Sequence, residues 1–262
     1  MKNLLPLLLA LFLIKCAQKE ETEPINMMGV YSLTKQTLND GSKDSVLVEK
    51  KQLKIYTDKY MMYASPNPTD SLANYGIATY KPDNGKVIEN IFYTSGYGDR
   101  KDSAILKVEK TFEGYKQVIE NAVIENKKYT STEEYDSVGT AANTPLDGVW
   151  KMITRMHVDK KGDTLVDEVQ VQFKVFKDGY FIWANTYEDT VSKKYPSAFG
   201  YGTFEMDGNT KATEINLNST YAVTLISKPY LMELEFPDKD SYKQTHLNTD
   251  GSKSIEIYQR LK

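Results

Sequence analysis

Gln172-Phe173-Lys174-Val175-Phe176-Lys177-Asp178-Gly179-Tyr180-Phe181-Ile182-Trp183-Ala184 is the stretch that decides the fold. Phe173 and Val175 alternate with Gln172 and Lys174. That is the period of a β-strand, and Asp178-Gly179 breaks it before a second aromatic run, so a hairpin is predicted. The same pattern stands earlier, as Gln52-Leu53-Lys54-Ile55-Tyr56-Thr57-Asp58-Lys59-Tyr60-Met61-Met62-Tyr63-Ala64. Two further matches keep the same order. Gly29-Val30-Tyr31 corresponds to Gly148-Val149-Trp150, and Tyr75-Gly76-Ile77-Ala78-Thr79-Tyr80 to Phe199-Gly200-Tyr201-Gly202-Thr203-Phe204. The offset stays near about 120 residues, so the chain is two homologous units of about 115 residues each. The expected boundaries are 26–137 and 146–262, joined by a linker at 138–145 that holds little apolar material.

Further strands are expected at 104–109, 115–120 and 127–134 in the first unit. In the second they are expected at 212–217, 221–226, 230–236 and 254–261. The one place where a helix would fit is 115–128. Of the residues, 40% are hydrophobic and 26% charged, with 19 Tyr and 9 Phe against 2 Trp. Aromatic enrichment of this kind suits pleated, half-buried surfaces. The expected fold class is therefore all-β, with short antiparallel strands closing into small barrels or sandwiches. A net charge of −3 argues against a nucleic-acid binder. One cysteine and two histidines exclude an intramolecular disulfide and a Cys/His-rich zinc site.

The N-terminus reads as an address. Met1-Lys2-Asn3 precedes an apolar run from Leu4 to Ile14, too short to span a bilayer and suited to a signal-peptide core. Cys16, the single cysteine, follows directly. This resembles the lipobox of bacterial lipoproteins, although Lys15 stands where a small residue is usual. The resemblance implies cleavage after residue 15 and acylation of Cys16, with 16–25 as tether and attachment to the membrane through the lipid. Lys19-Glu20-Glu21 resembles a signal that sends some Gram-negative lipoproteins to the outer face of the outer membrane.

Gly148-x-Trp150 at the opening strand, with Arg260 in the last, resembles the lipocalin signature. The fuller pattern is similar to small bacterial lipocalin-like domains of secreted lipoproteins. The resemblance implies two tandem calycin-type barrels, with Trp150 and Arg260 as the pair that closes one end of the second. The first unit departs from it, with Tyr31 for the Trp, Ala78 for the second Gly, and no Arg near its last strand. Phe173, Val175, Phe181 and Trp183 are expected to face inward and either to line a cavity or to fill it.

Catalytic chemistry finds no support. His157 and His246 read as lone exposed residues, and Glu133-Glu134 and Asp238/Asp240 as solvated. The Asp83-Asn84-Gly85 and Asp207-Gly208-Asn209 segments read as hairpin turns, with no metal or cofactor expected. Asp followed by Ser or Thr and an apolar residue recurs at Ser45, Ser71, Ser103, Ser137, Thr164 and Thr190. The triplet resembles an O-glycosylation acceptor of exported proteins in one group of Gram-negative bacteria, and equally suits Asx-type turns in loops. Two functions stand foremost: a lipid-anchored, non-catalytic binder of a small hydrophobic molecule, most readily in the second barrel, and a scaffold of filled barrels contacting surface partners or glycans. A third, an enzyme, would need a strongly perturbed carboxylate inside a cavity.

Overall fold

In the computed structural model the described residues are 25–66, 74–96, 98–124, 126–167, 171–187, 189, 191, 196–221 and 223–262. The expected signal segment, Cys16, Ser71 and Thr190 lie outside them. The first unit forms β1 (Gly29–Asn39), β2 (Asp44–Leu47), β3 (Leu53–Tyr56), β4 (Tyr60–Ala64), β5 (Tyr75–Asp83), β6 (Lys86–Thr94), β7 (Gly98–Lys110), β8 (Gly114–Ile124) and β9 (Lys127–Ser137). The second forms β10 (Gly148–Val158), β11 (Thr164–Asp167), β12 (Val171–Lys177), β13 (Tyr180–Thr186), β14 (Ser197–Asp207), β15 (Lys211–Ser219), β16 (Pro229–Asp238), β17 (Ser241–Leu247) and β18 (Lys253–Arg260).

Neighbours in sequence pair antiparallel, and β1 returns to β9 as β10 returns to β18. The short β2 and β3 follow one another along the same edge of β1, as β11 and β12 do on β10. Each unit is thus a closed, antiparallel barrel eight strands around. Turn chemistry sets the register. Asn84-Gly85 and Asp178-Gly179 both adopt left-handed φ at successive positions, the two-residue loop whose twist matches flanking strands. The strand expected at 221–226 does not form among the described residues: Val223–Leu225 is a single 3-10 turn and Ile226 makes one isolated bridge with Asn216. The segment 115–128 lies largely in β8. β17 had no counterpart among the expected strands.

Each barrel has its own interior cluster, around Tyr31, Tyr56, Tyr115 and Tyr135 in the first and around Trp150, Phe176, Phe181 and Tyr242 in the second. A third cluster joins the two barrels through the outer faces of β3–β5 and β12–β14. Its members come in matched pairs: Val30 with Val149, Leu53 with Phe173, Ile55 with Val175, Met62 with Ile182, Ala64 with Ala184, Tyr75 with Phe199, and Ile77 with Tyr201. Among the buried members only Tyr93 lacks a partner in kind. The two halves meet as the copies of an isologous dimer would, each offering the same patch. Tyr75 meets Phe199 edge-on with ring centroids 6.5 Å apart, and Tyr93 meets Phe173 at 5.2 Å. The connecting segment is docked too. Val138 N–H donates to Val30 O at 2.9 Å and Thr140 N–H to Asp178 O at 2.9 Å.

Phe173→Ala empties the centre of this seam while leaving both interiors intact. It is expected to cost about 3 kcal/mol, as large-to-small changes at buried rings do. Calorimetry should show one coupled transition in the parent chain and two separated transitions in the variant. Two separated transitions already in the parent chain would show that the seam does not couple the barrels, and an unchanged single transition in the variant that Phe173 does not carry the coupling.

Candidate functional site

The end of the second barrel where the chain enters and leaves is sealed by Trp150 and Arg260. These residues sit opposite one another on β10 and β18, and the guanidinium carbon lies 4.0 Å from the indole ring centre. Trp150 Nε1–H donates to Leu146 O at 2.7 Å. Arg260 donates to Asp147 O, to Pro145 O at 3.0 Å and to Lys239 O at 3.1 Å. Gly148 suits its φ of +132°, a conformation side chains rarely adopt, and a Cβ there would crowd Arg260 Nη1 out of its place in the seal. In the first barrel Tyr31 takes the indole's place, and a cation arrives from β7 instead of the last strand. Lys110 Nζ lies 5.3 Å from the Tyr31 ring centre and donates to its hydroxyl at 3.2 Å.

Above this seal each barrel contains a polar network that periodicity alone does not announce. Lys54 Nζ lies 2.7 Å from Glu89 Oε1, with both side chains almost wholly buried, and 3.4 Å from Gln117 Oε1. Gln117 donates to Glu133 at 2.7 Å, Tyr135 donates to Glu133 at 2.7 Å, and Gln52 donates to the Tyr135 hydroxyl at 2.5 Å. The second barrel repeats the network with identical residue types. Lys174 pairs with Glu214 at 2.6 Å and donates to Gln244 at 3.3 Å. Gln244 and Tyr258 donate to Glu256 at 2.8 and 2.6 Å, and Gln172 donates to the Tyr258 hydroxyl. A buried ammonium–carboxylate pair persists only where further hydrogen bonds satisfy both ions.

One partner differs. Tyr56 donates its hydroxyl to Glu89 at 2.6 Å, but the matching ring in the second barrel is Phe176, which has no hydroxyl to give Glu214. Burial raises the Glu214 carboxyl above its ordinary range, while Lys174 pulls it back. On that side the second barrel is open. A chamber of about 180 Å³ reaches in from the end opposite the seal, with Lys174, Glu214, Gln244 and Glu256 at its depth and Trp183, Tyr221 and Tyr230 on its walls. It continues into an outer groove of about 390 Å³ past Tyr187 and Pro196, the two sharing Arg155, Asn185 and Tyr221.

Register shows what changed between the copies. Arg155 stands where the first barrel has Gln36, since each faces the inward glutamate of the last strand. Asn216 replaces Ile91 and Tyr230 replaces Ala104. Gln36 is fully buried and donates to Ser131 and Glu133 at 3.0 and 3.1 Å, filling the space beside the network. Arg155 instead leans outward, 3.5 Å from Asp167 and 3.8 Å from Glu256. Gly200 lets the Trp183 indole lie against β14, because a Cβ would come within 2.6 Å of its Nε1. Trp183 donates to Asn216 at 3.4 Å.

Of the four residues expected to line a cavity, Trp183 borders the chamber and Phe181 packs in the interior cluster. Phe173 and Val175 point the other way, into the seam with the first barrel. Phe176 is opposite Phe181 and Lys174 opposite Trp183, so 173 and 175 occupy the opposite face from 181 and 183. His157 and His246 are half-buried, not exposed. They flank Ser254 across three adjacent strands, and His246 stacks on Tyr230 with ring centres 3.9 Å apart. Glu133, expected to be solvated, is buried in the network. Ser45, Ser103, Ser137 and Thr164 are exposed but lie within strands and not in loops. A cleft of about 700 Å³ runs beside the seal between the barrels, and within its lining Lys177 pairs with Asp147 at 3.3 Å and Lys262 with Asp240 at 2.9 Å.

No protein-family profile matches the chain, and a search of curated proteins finds no match. Among solved structures, the chain is similar to a DUF3598-family protein of unknown function from Nostoc punctiforme PCC 73102. That match has 9% identity and a TM-score of 0.27, covering 89% of this chain and 96% of the other. The likeness is too distant to carry a function across.

Lys54→Met strands Glu89 without its cation and is expected to cost about 3–5 kcal/mol. Lys54→Met with Glu89→Gln should recover most of that loss in denaturant unfolding, and equal losses for the two variants would contradict the pairing. Alkaline pH gives a second test. Burial, reinforced by nearby glutamates, raises the phenols of Tyr56, Tyr115, Tyr135, Tyr242 and Tyr258 well above 10. A folded pKa above the unfolded one contributes stability that is complete below pH 10 and is lost as pH climbs past it. Phenolate absorbance should therefore rise in two steps, exposed tyrosines first and the buried set together with unfolding. Titration of all 19 in one step without unfolding would exclude this arrangement.

Proposed function

We propose that this chain is a lipid-anchored envelope protein of lipocalin-like type, non-catalytic, whose second barrel binds a small ligand through its open end while the first serves as a packed support. The observation that carries the reading is the contrast between copies: the same network stands beside a fully buried, hydrogen-bonded Gln36 in the first barrel, and beside Arg155, Asn216 and Tyr230, which line a chamber, in the second. The expected ligand is amended in one respect. A wholly hydrophobic molecule would leave the ions at the chamber floor facing hydrocarbon, at a desolvation cost of several kcal/mol each by order of magnitude. The ligand should be polar-edged, with one apolar face for Trp183 and Tyr230. Anchoring rests on the lipobox-like sequence at Cys16, and the exposed Ser45, Ser103, Ser137 and Thr164 are compatible with glycan attachment in the same compartment.

Two experiments test this. Native mass spectrometry of the full chain after incubation with an envelope extract should show a discrete adduct that Trp183→Ala removes without unfolding the protein. A bare spectrum would favour the scaffold function, in which the loops alone make contacts. Labelling cells with an alkyne palmitate analogue should mark the parent chain and not Cys16→Ser, and equal labelling of both would refute the anchor.

A further inference from the structure

We infer that the chamber of the second barrel takes a single neutral sugar ring, presented as the end of a glycan whose next residues lie in the outer groove. This deepens the binding reading above and rests on it.

Charge is the first argument. The lining holds two cations, Arg155 and Lys174, and two carboxylates, Glu214 and Glu256, already set against one another. An anionic or cationic ligand would unbalance a site that is paired without it, so a neutral ligand fits best. Hydrogen-bonding character is the second. The lining also holds the amides of Gln172, Asn185, Asn216 and Gln244, each carrying both a donor group and an acceptor. Gln172 and Gln244 spend both within the network, which leaves the Asn185 carbonyl and the Asn216 amino group as the polar edge toward a ligand. A wall of mixed polarity matches groups that donate and accept at one atom, and the hydroxyl is that group. Glu214 has lost the phenol that its counterpart keeps (Tyr56 to Glu89, 2.6 Å), so a ligand hydroxyl would restore the missing donor.

Shape is the third. Trp183, Tyr221 and Tyr230 are the aromatic residues of the lining, one face of Tyr230 being covered by His246, and a pyranose has an apolar C–H face suited to aromatic rings while its rim carries hydroxyls. The chamber's volume of about 180 Å³ is below the ~300–1,000 Å³ of drug-sized pockets, and suits one ring and not an acyl chain. Its continuity with the groove of about 390 Å³ past Tyr187, Pro196 and Ala198 provides a path for the remainder of a chain.

The test is saturation-transfer NMR on the full chain with neutral hexoses, pentoses and N-acetylhexosamines, then with oligosaccharides ending in the best of them. A hexuronate, a free hexosamine and octanoate serve as charged and apolar probes. One neutral ring should bind at least about tenfold tighter than the charged forms, the discrimination expected of paired polar groups. Asn216→Ile and Tyr230→Ala, which install the residues of the first barrel, should each weaken it by about tenfold or more, with an unchanged circular dichroism spectrum. If octanoate or the hexuronate binds in the chamber and no neutral sugar does, the sugar assignment falls and the binding reading stands. If neutral sugars bind equally to both variants, the site is elsewhere. If no probe or extract component binds, both readings fall.

Discussion

An ammonium ion sits inside each barrel against a carboxylate, and the interior is arranged around that pair. Lys54 with Glu89 and Lys174 with Glu214 are almost wholly buried. Removing two ions from water is affordable only with good geometry and satisfied lone pairs. The glutamine, second glutamate and tyrosine of each network follow from this demand. They bridge β3 to β6, β8 and β9, and β12 to β15, β17 and β18, so one network ties strands that are distant around the barrel. A purely apolar interior of the same size would pack with fewer constraints on register.

The constraint also explains how the two copies diverged. The ionic frame stayed, and change fell on the ring of residues above it and on the connection between β15 and β16. Where the first barrel has Gln36, Ile91 and Ala104, the second has Arg155, Asn216 and Tyr230 lining a chamber, and the ion pair below is equally buried in both. The seal at the opposite end tolerates its own variation: Trp150 lies face-on under Arg260, whereas Tyr31 holds Lys110 at its hydroxyl edge. The outer faces of β3–β5 and β12–β14 kept their apolar character, since each buries the other.

The barrels and their duplication were legible in the repeat and in the period of two, and Gly148, Trp150 and Arg260 pointed to a barrel closed at one end. The orientation of the hairpin at 172–184 was not. Its outer face, Phe173 and Val175, is as apolar as an interior because the first barrel covers it. Gln172 and Lys174 look like solvent-facing positions but lie inside. Alternation tells which residues share a face and not which face is inside, and a seam between two barrels erases the polar side that normally decides it. Glu133 was hidden for the same reason: a charged residue beside Glu134 reads as surface unless the partners that satisfy it, from β1 and β8, are known. The chamber arises from pairings across the sheet that no local window contains.

The two tryptophans give the most direct measurement. Trp150 lies buried under Arg260 in the seal, and Trp183 borders the chamber, so an indole 15N–1H spectrum of the full chain reports both ends of the second barrel with two signals. On adding the bound component of an envelope extract, or the neutral sugar that binds best, the Trp183 signal should move and the Trp150 signal should stay. Movement of Trp150 alone, or of neither while binding is otherwise detected, would contradict ligand entry through the open end.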